Sequence, residues 1–423
     1  MERIGINITV IRNKIHFKFW LSGLLFLAIG IPMDCALAQG FGETMGLFNA
    51  LTDTNLNKSQ LMQSLELTVG GWLETGYTFN PDEPKDRFNG PVIFNNRANE
   101  LLVNEFYLFL ENDVNIEGDR WDFGGRVDFL FGTDARFTQA TGLDNNIIGD
   151  NTFRLYKFAI PQLYAETFVP YGKGITVRLG HFYTPIGVET VTAPGNFFYS
   201  HTYTAEYGEP FTHTGFLISY PLTDHIGLSG GGVLGWDNFS KDPKNLNFLG
   251  VANWNSVDQR TSLSFTIITG NVSGAGNAQK DSDHNLTLYS IVMSHDFTDF
   301  LHYTFQQTLG GGPSIINTQK SGKWFGISQY LYFSLKETLS TGLRFEWFRD
   351  DKGTRVFIND HSGFPISAAT NYFAITAGLN WRPLKWITVR PEVRYDWATD
   401  FNAFDNNSDK NQFLVAADII IRF

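Results

Sequence analysis

A single cysteine, Cys35, occurs in 423 residues, and no CxxCH pair is present. That excludes a disulfide framework, a thiolate metal centre and covalent haem attachment. Long apolar runs are equally scarce. The one continuous stretch is Phe19 to Ile31 (FWLSGLLFLAIGI), and nothing beyond it resembles a membrane-spanning helix. Positive charge is also short, with 32 Lys and Arg against 43 Asp and Glu, which argues against nucleic acid as a partner. No composition break or Pro/Ser-rich linker divides the chain, so it reads as one unit.

The apolar run has its own logic. Arg3, Arg12, Lys14 and Lys18 precede or open it, and Ala36-Leu37-Ala38 follows, just before Gln39. Basic, apolar and A-x-A segments in that order predict a secretory signal over residues 1–38, with an anchor helix as the alternative. The residues before Cys35, Ile31-Pro32-Met33-Asp34, form no lipoprotein acylation box, so the cysteine is expected to leave with the signal. What remains carries 28 basic and 41 acidic side chains. Residues 39–64 are expected to form a short periplasmic N-terminal segment.

What the chain does have is aromatic residues at 15% and 41 glycines, a composition that favours many strands. Residues 386–398, WITVRPEVRYDWA, show how they are used. Ile387, Val389, Pro391, Val393, Tyr395 and Trp397 fall on one face, and Thr388, Arg390, Glu392, Arg394 and Asp396 on the other. The same split recurs in LTVGGWLETGYTF from Leu67, NEFYLFLENDV from Asn104, WDFGGRVDFLF from Trp121 and TLSTGLRFEWF from Thr338. About sixteen such segments can be counted, most of them roughly 9 to 13 residues long, the length a tilted strand needs to cross hydrocarbon.

Alternation alone also fits a soluble sheet, so the connections decide. Short turns at 117–120, 170–174, 221–224, 295–299, 335–337 and 382–385 alternate with long polar loops near 80–103, 132–159, 183–212, 236–245, 271–283, 310–320, 349–371 and 397–410. That asymmetry predicts an all-β, transmembrane, antiparallel up-and-down barrel over residues 65–423, with periplasmic turns and extracellular loops. Lipid then bathes Val389 and Val393, while Trp121, Trp347, Tyr395 and Trp397 sit near strand ends as interface girdles. The last strand, NQFLVAADIIIRF, ends on Phe423, which resembles the C-terminal assembly signal of outer-membrane barrels. Outer-membrane lipid and the barrel-assembly machinery are the partners this implies.

Inward strand positions are expected to line a watery lumen. They include Arg126, Arg178, Arg344, Arg390, Arg394, Glu346, Glu392 and Asp396, where replacing Arg390 with alanine should be tolerated. The third long loop, 183–212, differs from the others. It carries Glu189, Glu206 and Glu209, no Lys or Arg, and the aromatics Phe197, Phe198, Tyr199, Tyr203, Tyr207 and Phe211. An exposed loop of that kind would be poorly solvated, so it is expected to fold back into the lumen; packing over the mouth or at a subunit contact is the alternative. Its carboxylates would form a negative wall facing the strand arginines across water, a transverse field giving mild cation preference.

This block, GHFYTPIGVETVTAPGNFFYSHTYTAEYGEPFTHTG, together with the aromatic C-terminus, resembles the putative β-barrel porin-2 family of bacterial outer-membrane proteins. The resemblance implies a porin-like barrel over most of the chain and carries no ligand contacts with it.

The expected function is a channel for passive diffusion of small polar solutes or ions, not an enzyme, working as a homotrimer and without cofactor. The competing reading is a barrel sheath or scaffold around a periplasmic or electron-carrying partner. No Ser/His/Asp arrangement stands out. His201, Glu206, Glu209 and His213 match no compact metal motif, and Asp405, Asn407 and Asp409 open a calcium-like loop that Lys410 and Ala416 then break. No metal site is expected.

Overall fold

The computed structural model describes residues 46–148, 155–240, 246–271, 285–313, 321–359, 365–367 and 369–423. The signal assigned to residues 1–38 lies outside them, as do large parts of the loops at 271–283 and 310–320.

Sixteen crossings form one closed sheet. They are β1 (Thr68–Phe79), β2 (Leu101–Asn112), β3 (Asp122–Gly132), β4 (Lys157–Ala159 and Leu163–Val169), β5 (Ile175–Tyr183), β6 (Thr212–Pro221), β7 (Ile226–Val233) and β8 (Asn247–Asn255). The other eight are β9 (Thr261–Asn271), β10 (Asn285–Asp296), β11 (Leu301–Pro313), β12 (Ser321–Lys336), β13 (Leu339–Asp350), β14 (Thr370–Leu384), β15 (Ile387–Ala398) and β16 (Asn411–Arg422). Both pieces of β4 pair with β3. The break falls at Pro161, which has no N–H to give the ladder. Each strand runs antiparallel to the next, and β16 closes on β1 from Trp72↔Arg422 to Phe79↔Val415. Closure leaves no free edge, so every spanning backbone group can be paired within the wall.

The alternation read from the sequence is the alternation of the wall. Along β15, Arg390, Glu392, Arg394 and Asp396 are buried on the inside, while Val393 and Tyr395 are about 40% exposed on the outside. Phe129, Phe216, Phe265, Phe345, Phe413 and Val415 are likewise exposed outside, forming the apolar belt a bilayer would cover. At the loop end of β13–β15 a girdle of rings lies across the ladder: Trp347 stacks on Phe373 and Phe373 on Trp397, centroids 6.5 and 5.1 Å apart. Outward Gly232 is covered by the Phe216 ring, 3.1 Å from where a Cβ would stand.

The described part of the segment before the barrel forms two short α-helices, Leu47–Thr52 and Gln60–Ser64, with a 3-10 turn, Leu56–Lys58, between them. Asn57 ties it to the rim like an extra strand residue: its side-chain amide donates to the Val69 carbonyl at 2.9 Å and accepts from the Val69 N–H at 2.8 Å. Nearby, the Phe423 N–H donates to the Gly71 carbonyl at 3.0 Å, which places the terminal residue on the closing seam.

Candidate functional site

The connection between β5 and β6, residues 184–211, belongs to no strand of the wall, yet every residue from Asn196 to Pro210 is buried. It lies inside the barrel against β11–β16, β1 and β2. Four alternate residues of β15 hold it in step. Arg390 Nη1 donates to the carbonyls of Ala193 and Asn196, both at 2.8 Å. Glu392 accepts from the N–H groups of Tyr199 and Ser200 at 3.0 and 3.1 Å. Arg394 donates to the His201 carbonyl, and Asp396 accepts from the Tyr203 hydroxyl at 2.8 Å. A loop without its own ladder has its backbone groups satisfied by strand side chains instead.

Neighbouring strands add to the clamp. On β13, Glu346 accepts from the N–H groups of Tyr203 and Thr204, both at 2.7 Å. Arg344 donates to the Ser200 carbonyl at 2.5 Å and to Glu189 at 2.8 Å. Gln306 and Thr308 of β11 donate to Glu209 at 2.6 and 2.8 Å. The first long loop folds over the same place: the Ile93 N–H donates to Glu206 at 3.2 Å, and the Phe94 ring stacks on His201 with centroids 3.9 Å apart. At its other extreme the loop brings Phe197 to a cavity of about 360 Å³ beside the turn at Asp296–Leu301, Arg260 and His302.

Room for the loop aromatics comes from glycines on the lumen face. A Cβ on Gly76 would lie 2.2 Å from the Tyr199 hydroxyl, and one on Gly342 would lie 2.6 Å from the Phe197 ring. Gly326 receives Thr204 and Gly378 receives Phe198 in the same way. Each glycine lets a loop side chain approach the wall closely. These positions were not singled out by sequence reasoning, although TGYTF, FGISQ, TGLRF and AGLNW each place a glycine at inward parity.

The expected pair of opposed charged walls is not what forms. Glu189, Glu206 and Glu209 do not face the arginines across water: Glu189 contacts Arg344 directly, Glu206 meets the first loop, and Glu209 meets neutral side chains. Arg390 is neutralised by Glu74 and Asp418 at 3.0 and 2.6 Å, and Arg394 by Asp396 at 2.8 Å. Glu346 and Glu392 bind loop N–H groups. The reason is burial, because an ion removed from water must be paired or hydrogen-bonded at contact distance. Phe197, Phe198, Tyr199, Tyr203 and Tyr207 are buried too, so they anchor the loop.

Charge states in the loop follow from these contacts. Burial pushes the Glu189 carboxyl up, but Arg344, His201 and the Thr202 N–H outweigh it and hold it at about 2. Burial pushes Glu209 up to about 8 against its hydrogen bonds from Thr308 and Gln306, and raises Glu206 well above the usual carboxylate range. His201, Glu206, Glu209 and His213 do not converge; His213 is held by Thr184 and the Gly235 carbonyl.

Arg126 and Arg178 stand apart from the loop acids. Arg126 pairs with Glu111 at 2.8 Å and Asp128 at 2.7 Å, and Arg178 pairs with Glu166 at 3.0 Å. Their guanidiniums lie over the Phe109 and Tyr164 rings. Unlike the clamp, these pairs keep water contact, with Arg126 and Arg178 side chains 19% and 23% exposed.

A closed sixteen-stranded barrel with an apolar belt, short turns at one rim and long connections at the other is the architecture of outer-membrane porins. The chain belongs to the family described as putative beta-barrel porin-2, OmpL-like, whose model matches residues 66–423. It is accordingly a porin-like protein of the bacterial outer membrane. Similar solved structures include a high-pH structure of Pseudomonas putida OprB, at 12% identity and TM-score 0.57, covering 87% of this chain and 98% of that one. Another is the trimer form of OmpT from Vibrio cholerae, at 10% identity and TM-score 0.55, covering 84% and 99%. A third is the outer-membrane channel DcaP of Acinetobacter baumannii, at 12% and 0.54, covering 84% and 97%. At these identities the likeness is one of fold. No curated protein matches the sequence significantly.

Proposed function

We propose that the chain is a passive diffusion channel for small polar solutes or ions, with residues 184–211 setting its constriction. The observation that supports this most is the asymmetry of the lumen. The loop is bonded to the β11–β16 and β1–β2 side, while Glu111, Arg126, Glu166 and Arg178 on the β2–β5 side retain water contact. The passage therefore runs between the loop and that wall. Its charges come as Arg–carboxylate pairs, so the expected ion selectivity is weak, with any cation preference carried by the net acidic balance rather than by the loop acids.

A sheath around a partner protein needs an open lumen, and the loop occupies the space such a partner would take. The channel reading takes the homotrimer as its assembly, the form in which OmpT of Vibrio cholerae is also found. Crosslinking in intact membranes and mass in mild detergent test that assembly; a monomer by both methods would overturn it. The channel itself is tested by planar-bilayer recording of the pure protein, alone and with Glu189, Glu206 and Glu209 all changed to Gln. Discrete conductance that alters in the triple variant is expected. Conductance and reversal potential identical in the two proteins would show that the loop does not set the constriction.

A further inference from the structure

On the lumen face Glu74 of β1 and Glu105 of β2 stand directly opposite each other. The pairing is built by an irregularity. Glu74 pairs with Glu105 and Thr75 with Val103, so a bulge turns both Asn104 and Glu105 inward. Asp134, two residues past β3, completes the group. One oxygen from each of the three carboxylates lies within 4.8 Å of the others, and all three residues are buried. Like charges directly opposed across a ladder destabilise it, and without water nothing screens them.

The cations nearby do not balance the set. Arg390 reaches Glu74 at 3.0 Å, but it also holds Asp418 through two nitrogens and two loop carbonyls. Arg136 gives its Nε to the Thr133 carbonyl at 2.6 Å and an Nη to the Ile93 carbonyl at 3.1 Å. Glu74, Glu105, Asp134 and Asp418 thus face two guanidiniums, and the shortfall equals the charge of one divalent cation.

An independent observation points the same way. Glu74 Oε2 and Glu105 Oε1 are buried without any hydrogen-bond partner, although the other oxygen of each is engaged, Glu74 Oε1 by Arg390 and Glu105 Oε2 by Trp72 and the Ala193 N–H at 3.0 Å. Buried carboxylate oxygens are rarely left so, and two in one cluster mark the place of an ion. The donors are all oxygen, which selects a hard cation. Calcium binds oxygens at about 2.3–2.6 Å, so donors across the ion can be roughly 5 Å apart, whereas magnesium at about 2.1 Å needs a tighter set.

We propose that Glu74, Glu105 and Asp134 form a calcium site on the lumen wall. The ion joins β1, β2 and the segment after β3. It also stiffens the loop contacts made there, since Glu105 accepts from Ala193 and Asn104 accepts from the Tyr199 hydroxyl at 3.1 Å.

The folded barrel, stripped with chelator in detergent, is titrated with Ca²⁺ by calorimetry and with Tb³⁺ by luminescence excited through tryptophan. Trp72, whose indole N–H donates to Glu105, is placed to sensitise the bound lanthanide. One Ca²⁺ per chain with Kd below about 1 mM is expected, with Tb³⁺ emission displaced by Ca²⁺. Affinity should fall by at least about tenfold in E105Q and stay unchanged in E337Q, a carboxylate on an exposed turn. Absence of saturable Ca²⁺ heat and Tb³⁺ emission in the unmutated barrel would overturn the site, and would mean that the carboxylates share protons instead. Unaltered affinity in a folded E105Q barrel would overturn it as well.

Discussion

Replacing Arg344 with methionine should free the lumen loop while leaving the barrel wall intact. Arg344 is 1% exposed and gives hydrogen bonds to Glu189, the Ser200 carbonyl, the Ser200 hydroxyl at 2.8 Å and Thr376 at 3.1 Å. Methionine fills a similar volume but leaves Glu189 with only Tyr330, His201 and the Thr202 group as partners. Removing one member of a buried ion pair costs about 3–5 kcal/mol, because the other charge stays behind unpaired. The wall ladder has no part in that pair, so the loss falls on docking of the loop, shifting its equilibrium by a factor of about 10² to 10⁴. Glu189 is held near 2 in the docked loop against an ordinary 4.5. Its contribution is therefore full above about pH 4.5 and lost as pH falls towards 2. The assay is limited proteolysis of the folded barrel together with single-channel recording. R344M should be cut within 184–211 far faster and conduct with more open-channel noise. Adding Glu189→Gln should recover much of the loss, because the orphaned charge is then gone. If the double variant is as labile as the two single effects added together, the pair does not clamp the loop.

The facing of the wall predicts that Val389→Arg costs about 2–4 kcal/mol near the bilayer midplane, read as lost refolding into vesicles. The structure reverses the expected tolerance of Arg390→Ala: with Glu74 and Asp418 left unpaired, the loss is about 3–5 kcal/mol, and urea titration of the refolded barrel should register it. Deleting Phe423, which closes on Gly71, should lower outer-membrane insertion without changing export; normal levels of heat-modifiable barrel would refute this. Glu209 is raised to about 8, so its own contribution to docking of the loop is full below about pH 4.5 and is lost as pH rises through 8. Proteolysis of the loop should increase as pH rises through 8 and rise less in Glu209→Gln.

The wall was legible in the sequence because a strand in a bilayer wall answers to one-dimensional rules. Alternation along WITVRPEVRYDWA follows from lipid on one side and a polar interior on the other, and each residue's parity is a local property. The strand count followed from repeating that rule, and the rims from loop length. The interior did not follow, because what meets what inside a barrel depends on closure. Arg390 and Glu74 are 316 residues apart in sequence, yet they touch once β16 pairs with β1. Composition singled out the loop at 183–212, but not that Glu346 and Glu392 would bind its N–H groups, or that lumen glycines would receive its rings. Only the shut sheet put those partners within reach. In so dry an interior, charges that sequence reasoning held apart across water had to meet at contact distance.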